Sequence, residues 1–261
     1  VDLTDHYYIY DEQLFHLFKN CKLLEEAILF DCYGITNDGI ASALRERPTL
    51  KSLCFSDMLD PATYVTSNFS DSLASLKSLT SLDLLSFNIS NELLSSIAIT
   101  GLPLRRLVLQ DCMGYSYAGI FCLLSKCQHI QHLDLQNADF LKDQHVAELS
   151  TFLGDLLSIN VSCCHKLTQS TLFALTRNCP SLSEIKIERI GSEIVEKFDS
   201  LIDFGVYPQL KSLYLARNLW LSDESIIMFA STFPNLQLLD LKSCKSISEE
   251  EWTLEFPNWR C

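Results

Sequence analysis

Residues Cys21–Pro48 read CKLLEEAILFDCYGITNDGIASALRERP, and the placement of their apolar residues decides the architecture. Leu24, Ala27 and Leu29 stand at offsets 0, +3 and +5, and the last two, one residue apart, face the same side of a strand. Cys32 follows at +8, where the chain leaves the strand, and Ile35 at +11 is apolar again. Thr36, Asn37 and Asp38 suit a helix start. Ile40, Ala43 and Leu44 then recur at helical spacing, and Pro48 closes the helix. The segment is thus strand, turn, helix and return.

The same grammar runs along the chain. Its first anchors are Leu24, Leu50, Leu79, Leu104, Ile130, Leu156, Leu182, Leu210 and Leu236, at steps of 26, 29, 25, 26, 26, 26, 28 and 26 residues. So regular a period predicts a solenoid. One such unit cannot bury its apolar side, and stacking supplies the core. The expectation is a single α/β domain over residues 1–261, about ten repeats of about 26 residues, curved like a horseshoe. Parallel strands line its inner face and helices its outer face. Helix starts are expected before Leu172 (at Thr168), at Ser222 ahead of Asp223 and Glu224, and at Ser248 with Glu251 as a capping box. Val1, Leu3, His6 and Ile9 align with Ala27, Leu29, Cys32 and Ile35, so the first repeat is truncated, and Leu14, Leu17 and Phe18 belong to the first helix. A stack that opens inside a repeat suggests a piece of a longer protein.

Eleven cysteines would suggest a disulfide framework, but their positions argue otherwise. Cys32, Cys112, Cys164 and Cys244 hold offset +8, with Asn218 in that register in another repeat, and Cys21, Cys127 and Cys179 hold offset −3. The +8 thiol reads as a small buried group beside backbone atoms, and the −3 thiol as the end of each helix. Reduced thiols point to an intracellular protein of the cytoplasm, the nucleus or both. A net charge of −13 argues against a nucleic-acid backbone or an anionic membrane as partner.

The pattern C-x-x-L-x-x-(L/A/I)-x-L-x-x-C-x-x-(I/L)-(T/S) stands here as Cys21 to Thr36 and Cys127 to Leu141, and from Leu236 to Ser248 without the leading Cys. It resembles the cysteine-containing leucine-rich repeats of F-box/LRR proteins, especially plant-like members. That resemblance implies a protein-interaction array: the substrate-recognition part of a subunit of an SCF-type E3 ubiquitin ligase, acting by proximity. A Skp-type adaptor would be held only through an F-box, and no such segment is visible in this chain. The alternative is a leucine-rich-repeat scaffold without any ligase role.

Catalysis and metal binding find little support. Cys163-Cys164-His165 is the densest cluster of possible ligands, but no C-x-x-C or H-x-x-x-H pairing accompanies it. No phosphate loop, dinucleotide fingerprint or nucleophile motif appears. The reading is therefore no enzyme, no cofactor and no metal.

Binding is expected on the concave strand face, at offsets +2, +4, +6 and +7. In the N-terminal half these columns offer Glu26, Ile28, Phe30, Asp31, Asp57, Asp83, Leu85, Arg106, Val108, Gln110, His132 and Asp134. Gln136, Asn160, Lys186, Arg189, Tyr214 and Arg217 continue them. The columns are polarised, with a sum of −7 through the repeat that starts at Ile130 and +1 beyond it. Acids with the apolar anchors Ile28, Phe30, Leu85 and Val108 suit a basic, amphipathic segment of a protein substrate. The long second step, with Asp60–Val65, adds a candidate rim loop, and Phe198, Leu201, Ile202 and Phe204 suggest a longer outer helix.

Overall fold

The computed structural model describes residues 1–56, 65–191 and 205–247. Asp57, the stretch 60–64 of the candidate rim loop, Phe198, Leu201, Ile202, Phe204 and the Ser248–Glu251 pair lie outside the described residues. The chain forms two compact units, Val1–Asp134 and Leu135–Cys261.

The first unit alternates helix and strand: α1 (Asp11–Asn20), β1 (Glu26–Leu29), α2 (Asn37–Arg45), β2 (Ser52–Ser56), α3 (Ser67–Ala74), β3 (Ser81–Leu85), α4 (Asn91–Thr100), β4 (Arg106–Val108), α5 (Tyr117–Lys126) and β5 (His132–Asp134). Its strands pair in parallel and in chain order, and Ala27, Leu53, Leu82, Leu107 and Leu133 form one continuous row. All five stand at offset +3, so the period read from the sequence is the strand register itself. Every member of the row is buried. Val1–Leu3 continue the ladder: the Ile28 N–H donates to the Val1 carbonyl (2.9 Å) and the Leu3 N–H to the Ile28 carbonyl (2.8 Å).

The second unit repeats the plan with α6 (Asp143–Ser150), β6 (Ser158–Asn160), α7 (Ser170–Asn178), β7 (Glu184–Lys186), β8 (Ser212–Tyr214), α8 (Asp223–Thr232) and β9 (Leu238–Asp240). Ile159, Ile185, Leu213 and Leu239 form its +3 row, again buried. In both units the core is the layer between strands and helices, where Leu14, Phe18, Leu44, Leu50, Leu172 and Phe229 are fully enclosed.

The helix starts follow local chemistry. Thr36, Thr66 and Ser90 cap α2, α3 and α4, each side-chain oxygen accepting the N–H three residues on, from Gly39, Phe69 and Leu93. Ser222 caps α8 in a capping box with Ser225. Between repeats a second device appears. Asp11 on α1 accepts the Thr36 N–H (2.8 Å) and hydroxyl (2.7 Å), and Asp143 on α6 does the same for Thr168 (2.9 and 2.7 Å). Asn91 on α4 holds Ser116 likewise, accepting its N–H at 2.9 Å. Each helix start thus secures the next. Gly39 and Gly119 lie under this contact: a Cβ would meet the Asp11 Oδ1 at 1.9 Å or the Asn91 Oδ1 at 2.3 Å. In the Asp143 repeat that position is Thr171, whose hydroxyl donates to the same carboxylate at 2.6 Å.

The cysteines behave as rungs. The thiols of Cys32, Cys112, Cys164 and Cys244 donate to the carbonyls of Leu3, Leu84, Leu135 and Leu215, at 2.9, 3.3, 3.4 and 3.3 Å. Each acceptor is the +5 residue of the preceding repeat. Asn218 fills the same role with more bonds: its Nδ2 donates to the Ile187 carbonyl (2.7 Å) and its Oδ1 accepts the Ile190 N–H (2.9 Å). Cys21, Cys127 and Cys179 end α1, α5 and α7. Cys127 and Cys179 are buried there, whereas Cys21 is exposed. All described cysteines are free thiols.

Candidate protein-binding face

The strand register places the expected residues in rows. In the first unit Glu26, Ser52, Ser81, Arg106 and His132 form the +2 row, and Ile28, Cys54, Asp83, Val108 and Asp134 the +4 row. Phe30, Leu85 and Gln110 follow at the strand ends, half-buried like Ile28, His132 and Asp134, while Glu26 is exposed. The structure sets these residues side by side in two rows of unit Val1–Asp134.

Two of the expected contacts are not available as the sequence suggested. Asp83 is buried, and Arg106 grips it through both oxygens: Nε reaches Oδ1 and Oδ2 at 3.0 Å, and Nη2 reaches Oδ2 at 2.9 Å. Such a fork neutralises the carboxylate, so Asp83 is a positioning group for Arg106 and not an open acidic anchor. Val108 is only 5% exposed and belongs to the core instead of the surface. Cys54 sits beside Asp83 in the same row, where burial and then the Asp83 charge push its thiol up to about 11, so it stays neutral.

Offset +7 has a structural role that the sequence reading missed. Asp5, Asp31, Ser86, Asp111, Asn137, Cys163, Arg189, Arg217 and Ser243 all take positive φ, between 51° and 63°. This left-handed turn follows the strand wherever the +7 residue is described, and short polar side chains tolerate it best. The acids of that column are therefore set in part by backbone geometry. The +4 column carries a similar duty: Asp2, Asn160 and Asp240 accept the N–H two residues on, from Thr4, Ser162 and Lys242, at 3.0, 3.0 and 2.9 Å. An Asp or Asn at either offset stabilises the turn whether or not a partner is bound.

In the second unit the +4 row is Asn160, Lys186, Tyr214 and Asp240. The Asn160 amide donates to the Gln136 Oε1 at 3.2 Å. Lys186 lies 5.1 Å from the Tyr214 ring centre and 3.4 Å from the Glu184 carboxylate, which also accepts the Ser158 hydroxyl at 3.0 Å. Arg189 and Arg217 stand at the turns and are exposed. Among the described residues, no group of three or more His, Cys, Asp or Glu side chains is arranged to hold a metal, and no helix is long and apolar enough to cross a membrane. Of the Cys163-Cys164-His165 triplet, Cys164 is engaged as a rung and Cys163 occupies the left-handed turn.

Parallel rows with a thiol or amide rung behind them define a leucine-rich-repeat fold. No family model matches the chain. It is 28% identical over 127 residues to a transport inhibitor response 1-like protein of rice, Oryza sativa subsp. japonica, covering 45% of this chain and 21% of that protein. The match thus takes in about a fifth of the relative's length. Among solved structures, the chain in the TLR13–ssRNA13 complex superposes with a TM-score of 0.54 at 19% identity, over 97% of this chain and 33% of that one. A chain of the Rad7 and Elc1 complex in yeast gives a TM-score of 0.41 at 17% identity, over 95% and 83%. The TLR13 likeness is one of fold.

Proposed function

We propose that this array is the substrate-recognition part of an F-box/LRR subunit of an SCF-type ubiquitin ligase. On this reading the strand face of unit Val1–Asp134 receives a basic segment of a protein substrate. The observation that carries the reading is the rung: a +8 Cys or Asn bonded to the +5 carbonyl of the preceding repeat, the repeat kind that resembles F-box/LRR proteins. The likeness to a transport inhibitor response 1-like protein supports it. The role of the face would be capture alone, with ubiquitin transfer performed by other subunits.

The face suits that task by its charges and its apolar area. Glu26 and Asp134 flank the paired Asp83–Arg106, and Ile28, Phe30 and Leu85 offer half-buried apolar area beside them. Acids next to apolar patches steer and then hold a cationic, amphipathic segment.

Two measurements test the two halves of the proposal. Asp134→Lys should weaken binding of a labelled Lys/Leu peptide about tenfold, while Glu148→Lys on α6 should leave it unchanged. Equal effects would reject the face. Separately, the complete gene product should co-purify with a Skp-type adaptor; a complete product that captures substrate and no adaptor would favour the plain scaffold.

A further inference from the structure

The turns that end the strands of unit Leu135–Cys261 carry a second charged surface. Lys166, Arg189, Arg217, Lys242 and Lys245 are all exposed there, with the half-buried Glu188 and Asp240 as the acids among them. This is a cationic ridge on a chain of net charge −13. Backbone bonds fix its spacing: the Arg189 N–H donates to the Ala216 carbonyl (3.0 Å) and the Arg217 N–H to the Lys242 carbonyl (2.9 Å). Arg189, Arg217 and Lys242 therefore occupy successive rungs about 4.8 Å apart.

Folding alone does not account for these residues. Arg189 and Arg217 take φ of 51° and 60°, a conformation that Asn adopts more readily, as Asn137 does in an equivalent turn. They also place like charges on neighbouring rungs, an arrangement that repels itself. Among the described residues neither arginine forms an ion pair. Leu219, in the same turn as Arg217, is 45% exposed and adds an apolar spot to the ridge.

We propose that this ridge is a docking surface for an acidic protein segment. Its reach favours a short extended peptide over a nucleic acid. The cations span only a few rungs, and a polyanion continuing past them would meet a surface of net negative charge, forfeiting the counterion release on which backbone binding depends. An extended segment with acids at alternate positions presents a carboxylate about every 6.6 Å, so three acids spread over about 13 Å, within reach of long arginine and lysine side chains on adjacent rungs. The proposal does not depend on the ligase reading or on the acidic strand face.

The test uses the 261-residue chain and a fluorescein-labelled peptide, Ala-Glu-Leu-Glu-Leu-Glu-Ala, with its Gln-for-Glu counterpart as control. The Glu peptide should bind at least tenfold more tightly than the Gln peptide, and added salt should weaken it. Arg189→Asn with Arg217→Asn should lower that affinity tenfold or more while the melting temperature holds or rises, because Asn favours the turn. Arg45→Asn at the end of α2, which removes an exposed cation outside the ridge, should leave it unchanged. Equal binding of the two peptides, no binding of either, or no effect of the Asn substitutions would overturn the proposal. So would tighter binding of a single-stranded oligonucleotide that the same substitutions abolish, since the ridge would then be a nucleic-acid site.

Discussion

Asn218 offers the sharpest test of the rung. It is 1% exposed, and its amide serves two backbone groups of the preceding repeat: the Ile187 carbonyl at 2.7 Å and the Ile190 N–H at 2.9 Å. Truncation to Ala removes both bonds and leaves a buried donor and a buried acceptor unpaired. Each such group costs about 1–3 kcal/mol, so Asn218→Ala should destabilise by about 2–6 kcal/mol. Asn218→Cys restores a donor toward the Ile187 carbonyl, as the four cysteine rungs do, and leaves only the Ile190 N–H unpaired. Its cost should be about half as large, about 1–3 kcal/mol. Urea titration followed by circular dichroism gives the overall values. Amide exchange at Ile190 gives the local one, which matters because repeat arrays need not unfold in one step. Exchange at Ile190 should accelerate in both variants. An Ala variant as stable as the parent, or a Cys variant no better than Ala, would refute the equivalence of thiol and amide rungs.

Two further outcomes follow from the packing and the thiols. Gly119→Ala forces a methyl against the Asn91 Oδ1 and the Leu94 Cδ1 (2.3 and 3.1 Å) and should cost about 1–3 kcal/mol in thermal melts. Gly154→Ala meets nothing within 4 Å and should stabilise by about 0.4–1 kcal/mol. Burial pushes Cys112 and Cys179 up to about 12 and Cys127 up to about 11. Unfolded thiols ionise near 9, so the folded state holds these protons longer and its stability falls as pH rises from about 9 toward 12. The slope is about 1.4 kcal/mol per pH unit for each such thiol, read from urea midpoints across that range. At neutral pH iodoacetamide should label the exposed Cys21 well before those three, and the reverse order would contradict the burial.

The strands and their register were legible because a period-two pattern inside a fixed longer period leaves one face for the core. Ala27, Leu53, Leu82, Leu107 and Leu133 stand in the structure as the spacing requires. The cysteine rungs were legible for the same reason. The left-handed turn was not, because its usual Asn or Gly signature is diluted by Ser86, Cys163, Arg189 and Arg217. The burial of Asp83 depends on a diagonal partner: Arg106 stands one strand over and two offsets back, a relation visible only once register is assigned. The contacts between helix starts did leave a trace, an Asp or Asn followed 25 residues later by Thr or Ser in Asp11–Thr36, Asn91–Ser116 and Asp143–Thr168. It was overlooked because a capping side chain is ordinarily sought in its own helix, not one turn of the stack away.

The step between repeats varies from 25 to 29 residues, yet within each unit the paired columns never slip. In the 29-residue step the additional chain stands between β2 and α3, outside the ladder, while α3 and β3 keep the separation of α2 and β2. Evolution can thus lengthen one strand-to-helix connection, or duplicate a whole storey, without rewriting the pairing of its neighbours. New recognition chemistry is gained at the margins of such a building while its masonry stays in place.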